Sequence, residues 1–265
     1  MFTIMPEVQH SYKSLCIEEV IEAFENNEPI TGFVERINAN AQVVNVRLGV
    51  GVLAYMPFSE VTLYPLRYNK SFSSTIPTNA AQLLNKKIRI RVTSIVDDYI
   101  TVSRKQNMQL AFQTLVEKQT ATMHITEIIE KSVFGDIGDG INGKIYISEV
   151  CQTHIKSASE ILNLGDIINV VILKPDAQKR LSVSYRQTFP PYVKDDYPKG
   201  IIIKGKITDA IEKNNRKFYY VYISPQVSGI LCLRNDELFR YGDKIQCTVV
   251  DTSDRGLYLK FCHFI

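Results

Sequence analysis

Three stretches of this chain, IRIRVTSIVDDYITVSRKQ, INVVILKPDAQKRLSVSYRQ and IQCTVVDTSDRGLYLKF, repeat one pattern. Each is a β-branched run, a short turn carrying Asp, and a second alternating run. Alternation at period two places every other side chain on one face, so each stretch reads as a β-hairpin. With Ser103, Ser184 and Lys260 as equivalent marks, the pattern recurs about every 80 residues, longer than the ~20–50-residue units of solenoids and suited to tandem small domains. Upstream of each hairpin lies a matching head, ITGFVERINA, ATMHITEIIEK or IKGKITDAIEK, followed by a further strand pair and then a shorter polar or helical stretch. Five strands with a helix-like segment between the third and fourth is the order of an OB barrel. The expected fold is therefore all-β, with three tandem five-stranded OB barrels.

Helical periodicity is confined to two places. In SLCIEEVIEAFENNEP, Ser14 is the expected cap and Ile17, Val20, Ile21 and Phe24 fall on one face, with Asn26, Asn27 and Pro29 ending the helix. In QNMQLAFQTLVEKQ, Met108, Phe112, Leu115 and Val116 have helical spacing. These give a short N-terminal helix and a helical linker.

The stretch GDGINGKI (138–145) comes one residue short of the phosphate-cradling pattern G-x-x-x-x-G-K-[ST]. A phosphate loop must follow a buried strand and open a helix, so that helix-start N–H groups face the phosphates. Here the chain continues IYISEV, which alternates as a strand, and Ile145 stands where a magnesium-binding hydroxyl belongs. A β-turn is expected instead, with Asn142-Gly143 as the tight turn.

Composition narrows the class. Of the 265 residues, 45% are hydrophobic and 22% charged, which excludes disordered and collagen-like chains. The formal charge of +3 is too mild to argue for a polyanion partner by itself. Five widely spaced cysteines without a C-x-x-C pair suggest reduced thiols, with neither a disulfide framework nor a zinc site. The start MFTIMPEVQH carries no signal-like pattern and no apolar run approaches the ~18–20 residues of a membrane span. A cytoplasmic, membrane-free protein is expected.

The stretch VFGDIGDGINGKIYISEV, followed by LNLGDIINVVILKPDAQKRLSVSYRQ, resembles the S1 domain, the RNA-binding OB fold named after a bacterial ribosomal protein. In the first unit, VLAYMPFSEV resembles the G-F-x-P-x-S turn of divergent S1 repeats, and LLNKKIRIRV with VSRKQ their closing strands. The third unit is similar in layout but weaker in motif. The resemblance divides the chain into an arm and helix (1–27), a divergent S1-like domain (28–106), a helical linker (107–118), a second S1 domain (119–188), a Pro-containing linker (189–198) and a third S1-like domain (199–265). It implies a non-enzymatic protein that binds single-stranded RNA, with single-stranded DNA as an alternative ligand and the ribosome or an RNA-processing protein as a further partner. A monomer is expected, linked to translation or RNA metabolism. A protein- or ribosome-docking module with little RNA affinity is the alternative.

Carried over position by position, the family's RNA-contacting residues fall on Phe134 (second-strand aromatic), Tyr146 (the histidine position), Asp176 and Arg180 (last turn) in the middle unit. Lys131 stands where another aromatic is common. In the third unit Tyr220 in KFYYVYI is the best aromatic match, Cys232 holds the histidine position and Arg255 follows the turn. In the first unit QVVNV lacks the aromatic, Pro57 interrupts the third strand and Tyr55 is the aromatic nearest the histidine position. These types suit the chemistry, because single strands expose flat bases beside a repeating charge. Lys144 joins the basic track of the middle unit, and Lys217, Phe218 and Arg234 complete the third unit's candidate surface. Residues 191–265 hold 12 basic and 9 acidic side chains against 8 and 9 in 108–190, so charge favours the third unit while motif favours the second.

Plainer roles compete. Phe134 and Tyr146 alternate with apolar neighbours and could be core. Tyr219, Tyr220 and Tyr222 cannot all face one way, so at least one packs inside. His124 and His154 have no ligand-spaced partner, and Asp97-Asp98 and Asp195-Asp196 read as solvated turn or linker acids. Ser103 and Ser184 lack a nucleophile elbow. No catalytic set, metal site or cofactor is expected. The linker YRQTFPPYVKDDYPKG is expected to be an extended spacer stiffened by Pro190, Pro191 and Pro198.

Overall fold

The computed structural model describes residues 4–68, 75–115, 117–175, 181–213, 216–233 and 239–265. The first barrel closes from β1 (Ile30–Asn38), β2 (Val43–Gly49), β3 (Val52–Pro57), β4 (Lys87–Val96) and β5 (Tyr99–Ser103). The second uses β6 (Thr120–Ile129), β7 (Ser132–Asp136), β8 (Asn142–Tyr146), β9 (Ile167–Pro175) and β10 (Leu181–Ser184). The third uses β11 (Ile202–Lys213), β12 (Arg216–Ser224), β13 (Val227–Leu233), β14 (Lys244–Ser253) and β15 (Gly256–Phe264). In every barrel the neighbour order is first, second, third, fifth, fourth, and the fourth returns to the first. The parallel contact comes between third and fifth strands, with Ala54 opposite Ile100 and Ile230 opposite Tyr258. This is the OB topology, built three times. Bulges at Val34/Arg36 in β1 and at Ile207/Asp209 in β11 bend the long first strands so that each can pair on both sides.

Period-two alternation decides what fills each barrel. Val34, Val44, Val46, Ala54, Met56, Ile88, Ile90 and Val102 line the first. Met123, Ile125, Val133, Ile145, Val170, Ile172 and Val183 are the buried counterparts on the second barrel's strands. Ile207, Tyr219, Val221, Leu231, Ile245, Val249 and Leu259 line the third. Each fully buried Val, Ile or Leu contributes about 1.5–3 kcal/mol relative to exposure, so slipping a strand by one residue would forfeit its whole inward set. Pro57 does not break β3; it ends it, where the chain turns into a 3-10 segment at Phe58–Glu60.

The helices form with shifted ends. Helix α1 (Ile17–Glu25) is capped two residues past the expected position: Cys16 N donates to Glu19 Oε2 at 2.9 Å, while Ser14 Oγ instead accepts from Val50 N at 3.2 Å. Val20 and Ala23 are its buried residues, and Ile17, Ile21 and Phe24 remain partly exposed. Between β3 and β4 lies α2 (Thr78–Ala81). The linker helix α3 (Arg104–Thr114) begins at the end of β5, because Ser103 Oγ accepts from Gln106 N at 2.9 Å and caps it while donating to Glu60 Oε2 at 2.6 Å. Met108 and Ala111 are buried; Val116 lies outside the described residues. A short α4 (Ile147–Val150) follows β8. The linker at 189–198 is not a free spacer, since a 3-10 turn forms at Lys194–Asp196 and Tyr192 and Tyr197 pack against the third core.

Two compact units emerge, one holding 1–124, 136–143 and 175–181, the other 125–135, 144–174 and 182–265. The first unit explains the glycines of GDGINGKI. The tight turn is at Gly138–Gly140, not Asn142-Gly143, which lie in β8. Asp136 Oδ1 accepts from both Gly138 N and Gly140 N at 2.9 Å, and Asp139 N donates to Met5 O at 3.1 Å. A Cβ on Gly138 would run into Ile4, and one on Gly140 into the Arg104 guanidinium. The glycines admit the N-terminal arm and lead into β8, so no helix opens at the turn; the expected strand IYISEV ends at Tyr146, and Ile147–Val150 form α4.

Candidate nucleic-acid interface

The second unit carries an aromatic and cationic face on adjacent strands β7 and β8. Val133 and Gly135 point inward, so Phe134 points out; Ile145 points inward, so Lys144 and Tyr146 point out. Lys144 Nζ sits 4.1 Å from the Tyr146 ring centroid and 5.6 Å from that of Phe134. Tyr146 is 46% exposed and Phe134 half-buried. One ammonium is thus held against two rings by cation–π attraction, worth about 0.5–1 kcal/mol at an exposed site. Lys131 is exposed, and its carbonyl accepts from Ile147 N at 3.0 Å, tying the end of the β7 hairpin to the start of α4.

The third barrel of the same unit presents a different surface. Tyr219 is buried and meets Phe239 edge-on at 5.1 Å, whereas Tyr220 faces outward. Across the sheet Tyr220 pairs with Ile230 and Ile230 with Tyr258, giving one row over β12, β13 and β15. That row belongs to a cleft of about 530 Å³ that also includes Arg255 and His154. Tyr222 is half-buried, and burial pushes its phenol up to about 12. In the first unit, Tyr55 stacks on Tyr99 at 4.4 Å and 5° between planes.

No protein-family model matches the chain. Small ribosomal subunit protein bS1 of Staphylococcus saprophyticus is 24% identical over 237 residues, covering 85% of this chain and 54% of that protein. The bS1 of Leuconostoc lactis is 25% identical over 247 residues, covering 83% and 54%. Three OB barrels in tandem and these alignments agree. The chain is a tandem OB-barrel protein similar to the S1-domain ribosomal proteins. A 4-hydroxy-3-methylbut-2-enyl diphosphate reductase of Clostridium acetobutylicum is also similar, 20% identical over 250 residues that make up 89% of this chain and 38% of that enzyme. The chain thus spans little more than half, or less, of the length of these relatives.

Of the residues that the S1 resemblance singled out, the structure brings Phe134, Lys144 and Tyr146 together in the second barrel, and Tyr220 and Arg255 around one cleft in the third. Asp176, Arg180 and Arg234 lie outside the described residues. Lys217 does not join Tyr220. It shares the parity of buried Tyr219 and holds its ammonium 6.0 Å from that ring, while half-buried Phe218 pairs with Cys232. Tyr55 offers no free pair of faces, since Tyr99 covers one of them. Tyr99 was detectable: it precedes Ser103 by the same step as Arg180 precedes Ser184, so the S1 arginine position carries an aromatic here. Tyr258 was hidden by the same alternation that reveals strands, which marks it as outward without naming its neighbours.

Proposed function

We propose that this S1-domain protein holds single-stranded RNA by stacking and phosphate contact and performs no chemistry on it. The observation that carries the reading is the Lys144 ammonium between the outward rings of Phe134 and Tyr146. A base stacked on either ring gains roughly 1–3 kcal/mol, and the ammonium, displaced from the Tyr146 face, can pair with the phosphate that arrives with it. A duplex hides its base faces and forfeits that gain. One such face binds weakly after ordering costs, and the other barrels of the chain add affinity by effective concentration. The bS1 alignments are consistent with an S1 role in translation, with the ribosome as a further partner.

The test is fluorescence anisotropy of labelled single-stranded and duplex RNA, at low and at physiological salt, with Phe134→Ala/Tyr146→Ala alongside. Expected are a preference for single strands, a slope of log affinity against log salt near −0.7 per neutralised phosphate, and at least a tenfold loss in the double variant. Equal binding of both forms by wild type and variant would sink the reading and leave a protein-docking module.

A further inference from the structure

The basic excess of residues 191–265, 12 side chains against 9 acidic ones, is not gathered around Tyr220. Four of its lysines lie on the side of the third barrel where β11, β14 and β15 are neighbours. Lys206 is opposite Lys244 and Lys204 opposite Gln246; on the far side of β14, Gln246 faces His263 and Thr248 faces Lys260. Ile245, Cys247, Val249 and Leu259 alternate with these positions and are buried, so the polar side chains share the outward face. Lys204, Lys244 and Lys260 are exposed, and none of the three has a carboxylate partner among the described residues. Like charges directly opposite one another weaken a sheet. Lys206 turns away from Lys244, donating to Glu160 O at 3.2 Å with its ammonium 6.0 Å from the Tyr241 ring centroid. The carboxylates that border the face are engaged elsewhere: Asp243 Oδ2 accepts from Arg240 N at 2.7 Å, and Asp251 pairs with Lys199 at 3.1 Å. The barrel interior does not require this concentration of unneutralised charge, since every one of these side chains points away from it.

We propose that this lysine face docks the phosphate backbone of helical RNA. The proposal takes its ligand class from the RNA-holding reading above and adds a second surface that does not depend on exposed bases. Its rows offer no Phe or Tyr for a base to stack on; Tyr258 marks the border, two residues before Lys260. What they offer is charge. Lys204 and Lys206 stand about 6.6 Å apart along β11 at the ordinary rise, two steps of a strand that carries a phosphate about every 3.4 Å. A duplex turns its bases inward and presents both backbones, with one charge per about 1.7 Å of axis, so it gains most from a group of ammonium ions and loses nothing for want of rings. Gln246, half-buried between the lysines, adds a neutral donor of the kind that fixes a backbone in place. Each lysine that neutralises a phosphate releases counterions, so the docking is independent of sequence and steeply weakened by salt. At physiological salt it is weaker than single-strand binding helped by stacking.

The experiment titrates a labelled 20-base-pair RNA duplex, and separately a 12-nucleotide single strand, with three proteins: wild type, Lys204→Gln/Lys244→Gln/Lys260→Gln, and a control, Lys13→Gln/Lys86→Gln/Lys118→Gln, that removes the same charge from exposed positions of the first unit. A circular dichroism melt checks that each variant folds. At low salt the wild type is expected to bind the duplex. The face variant should lose at least about tenfold, with a slope of log affinity against log salt shallower by about 0.9 for each lysine removed, and the control should lose less than about threefold. Duplex binding that is unchanged in the face variant overturns the proposal, and so does an equal loss in both variants, which would leave net charge as the cause. Tighter binding of poly-L-glutamate than of duplex at equal charge overturns it in favour of an acidic protein segment. If wild type binds single strands but no duplex, the lysine face falls and the RNA-holding reading stands; if it binds duplex through these lysines but no single strands, the face stands and that reading falls.

Discussion

Replacing Arg104 by Met should destabilise the first unit severely, and more so at high pH. Arg104 makes a two-pronged contact with Glu7, Nε to Oε1 and Nη2 to Oε2, each 2.7 Å, with both side chains about nine-tenths buried. Its Nη1 donates to Val61 O at 3.1 Å. Burial acts against the guanidinium's charge, yet the Glu7 carboxylate outweighs it and raises the Arg104 pKa. Asp136 lies in the same cluster and accepts from Glu7 N at 2.6 Å; burial, then the Glu7 charge, push its carboxyl up to about 7. Met keeps the aliphatic stem but strands two carboxylates without their cation. Breaking a buried pair from one side costs about 3–5 kcal/mol, because the surviving charge keeps its desolvation penalty. The pH sign follows from proton counts. Asp136 titrates near 3.8 when unfolded, so between that value and about 7 the folded chain holds a proton the unfolded one lacks, and this group's contribution to stability falls as pH rises through the window. Removing Arg104 takes away a charge that lowers that carboxyl, so it is pushed further up and the loss extends to higher pH. Urea unfolding followed by circular dichroism, since the chain has no Trp, reads both effects. A cost under about 1 kcal/mol, or one that does not change between pH 5.5 and 8, would mean that the cluster is solvated and the argument from burial fails.

Two further outcomes follow from buried groups. The Tyr219 hydroxyl is buried without a partner, so Tyr219→Phe should leave stability unchanged or raise it by up to about 1–3 kcal/mol, measured as a thermal midpoint equal to or above that of wild type. Burial raises the Cys151 thiol to about 11 and the Cys247 thiol to about 12, whereas Cys16, Cys232 and Cys262 are exposed. A thiol reagent at pH 8 should therefore label the exposed cysteines of the native protein and reach Cys151 and Cys247 after unfolding, a difference that mass spectrometry resolves.

The barrels were legible because their interior obeys a rule that a single sequence displays. Inward residues must be apolar and recur at period two, and VFG, KIY and KFYYVY show which side chains are left outside. Tyr219 and Tyr220 differ in fate for that reason alone. Ser14 failed as a cap because a distant backbone, Val50 N, takes its hydroxyl, leaving Cys16 and Glu19 to start the helix. The turn in GDGINGKI was misplaced because local propensity favours Asn-Gly, whereas the arm around Ile4 and Met5 and the side chain of Arg104 need bare backbone at Gly138 and Gly140. Both errors have one origin: the deciding partner is far away in the chain and leaves no local periodic trace.

Outward residues escape the rule that fixes inward ones, and the three barrels differ there. One topology carries an ammonium between two rings at Phe134, Lys144 and Tyr146, a row of Tyr220, Ile230 and Tyr258 in the third barrel, and two tyrosines stacked on each other in the first. A stacked pair already satisfies its own faces, and parting Tyr55 from Tyr99 would forgo about 0.5–1.5 kcal/mol before a base gained anything. The same residue type at comparable sites thus has different work to do, and His154, which no motif or spacing singled out, joins the third barrel's surface through an aspartate more than fifty residues away in the chain. Repetition of a fold carries the core requirement from barrel to barrel, while the outward pairings are made anew in each, within the barrel for Lys144 and Tyr55 and with a segment outside it for Tyr220.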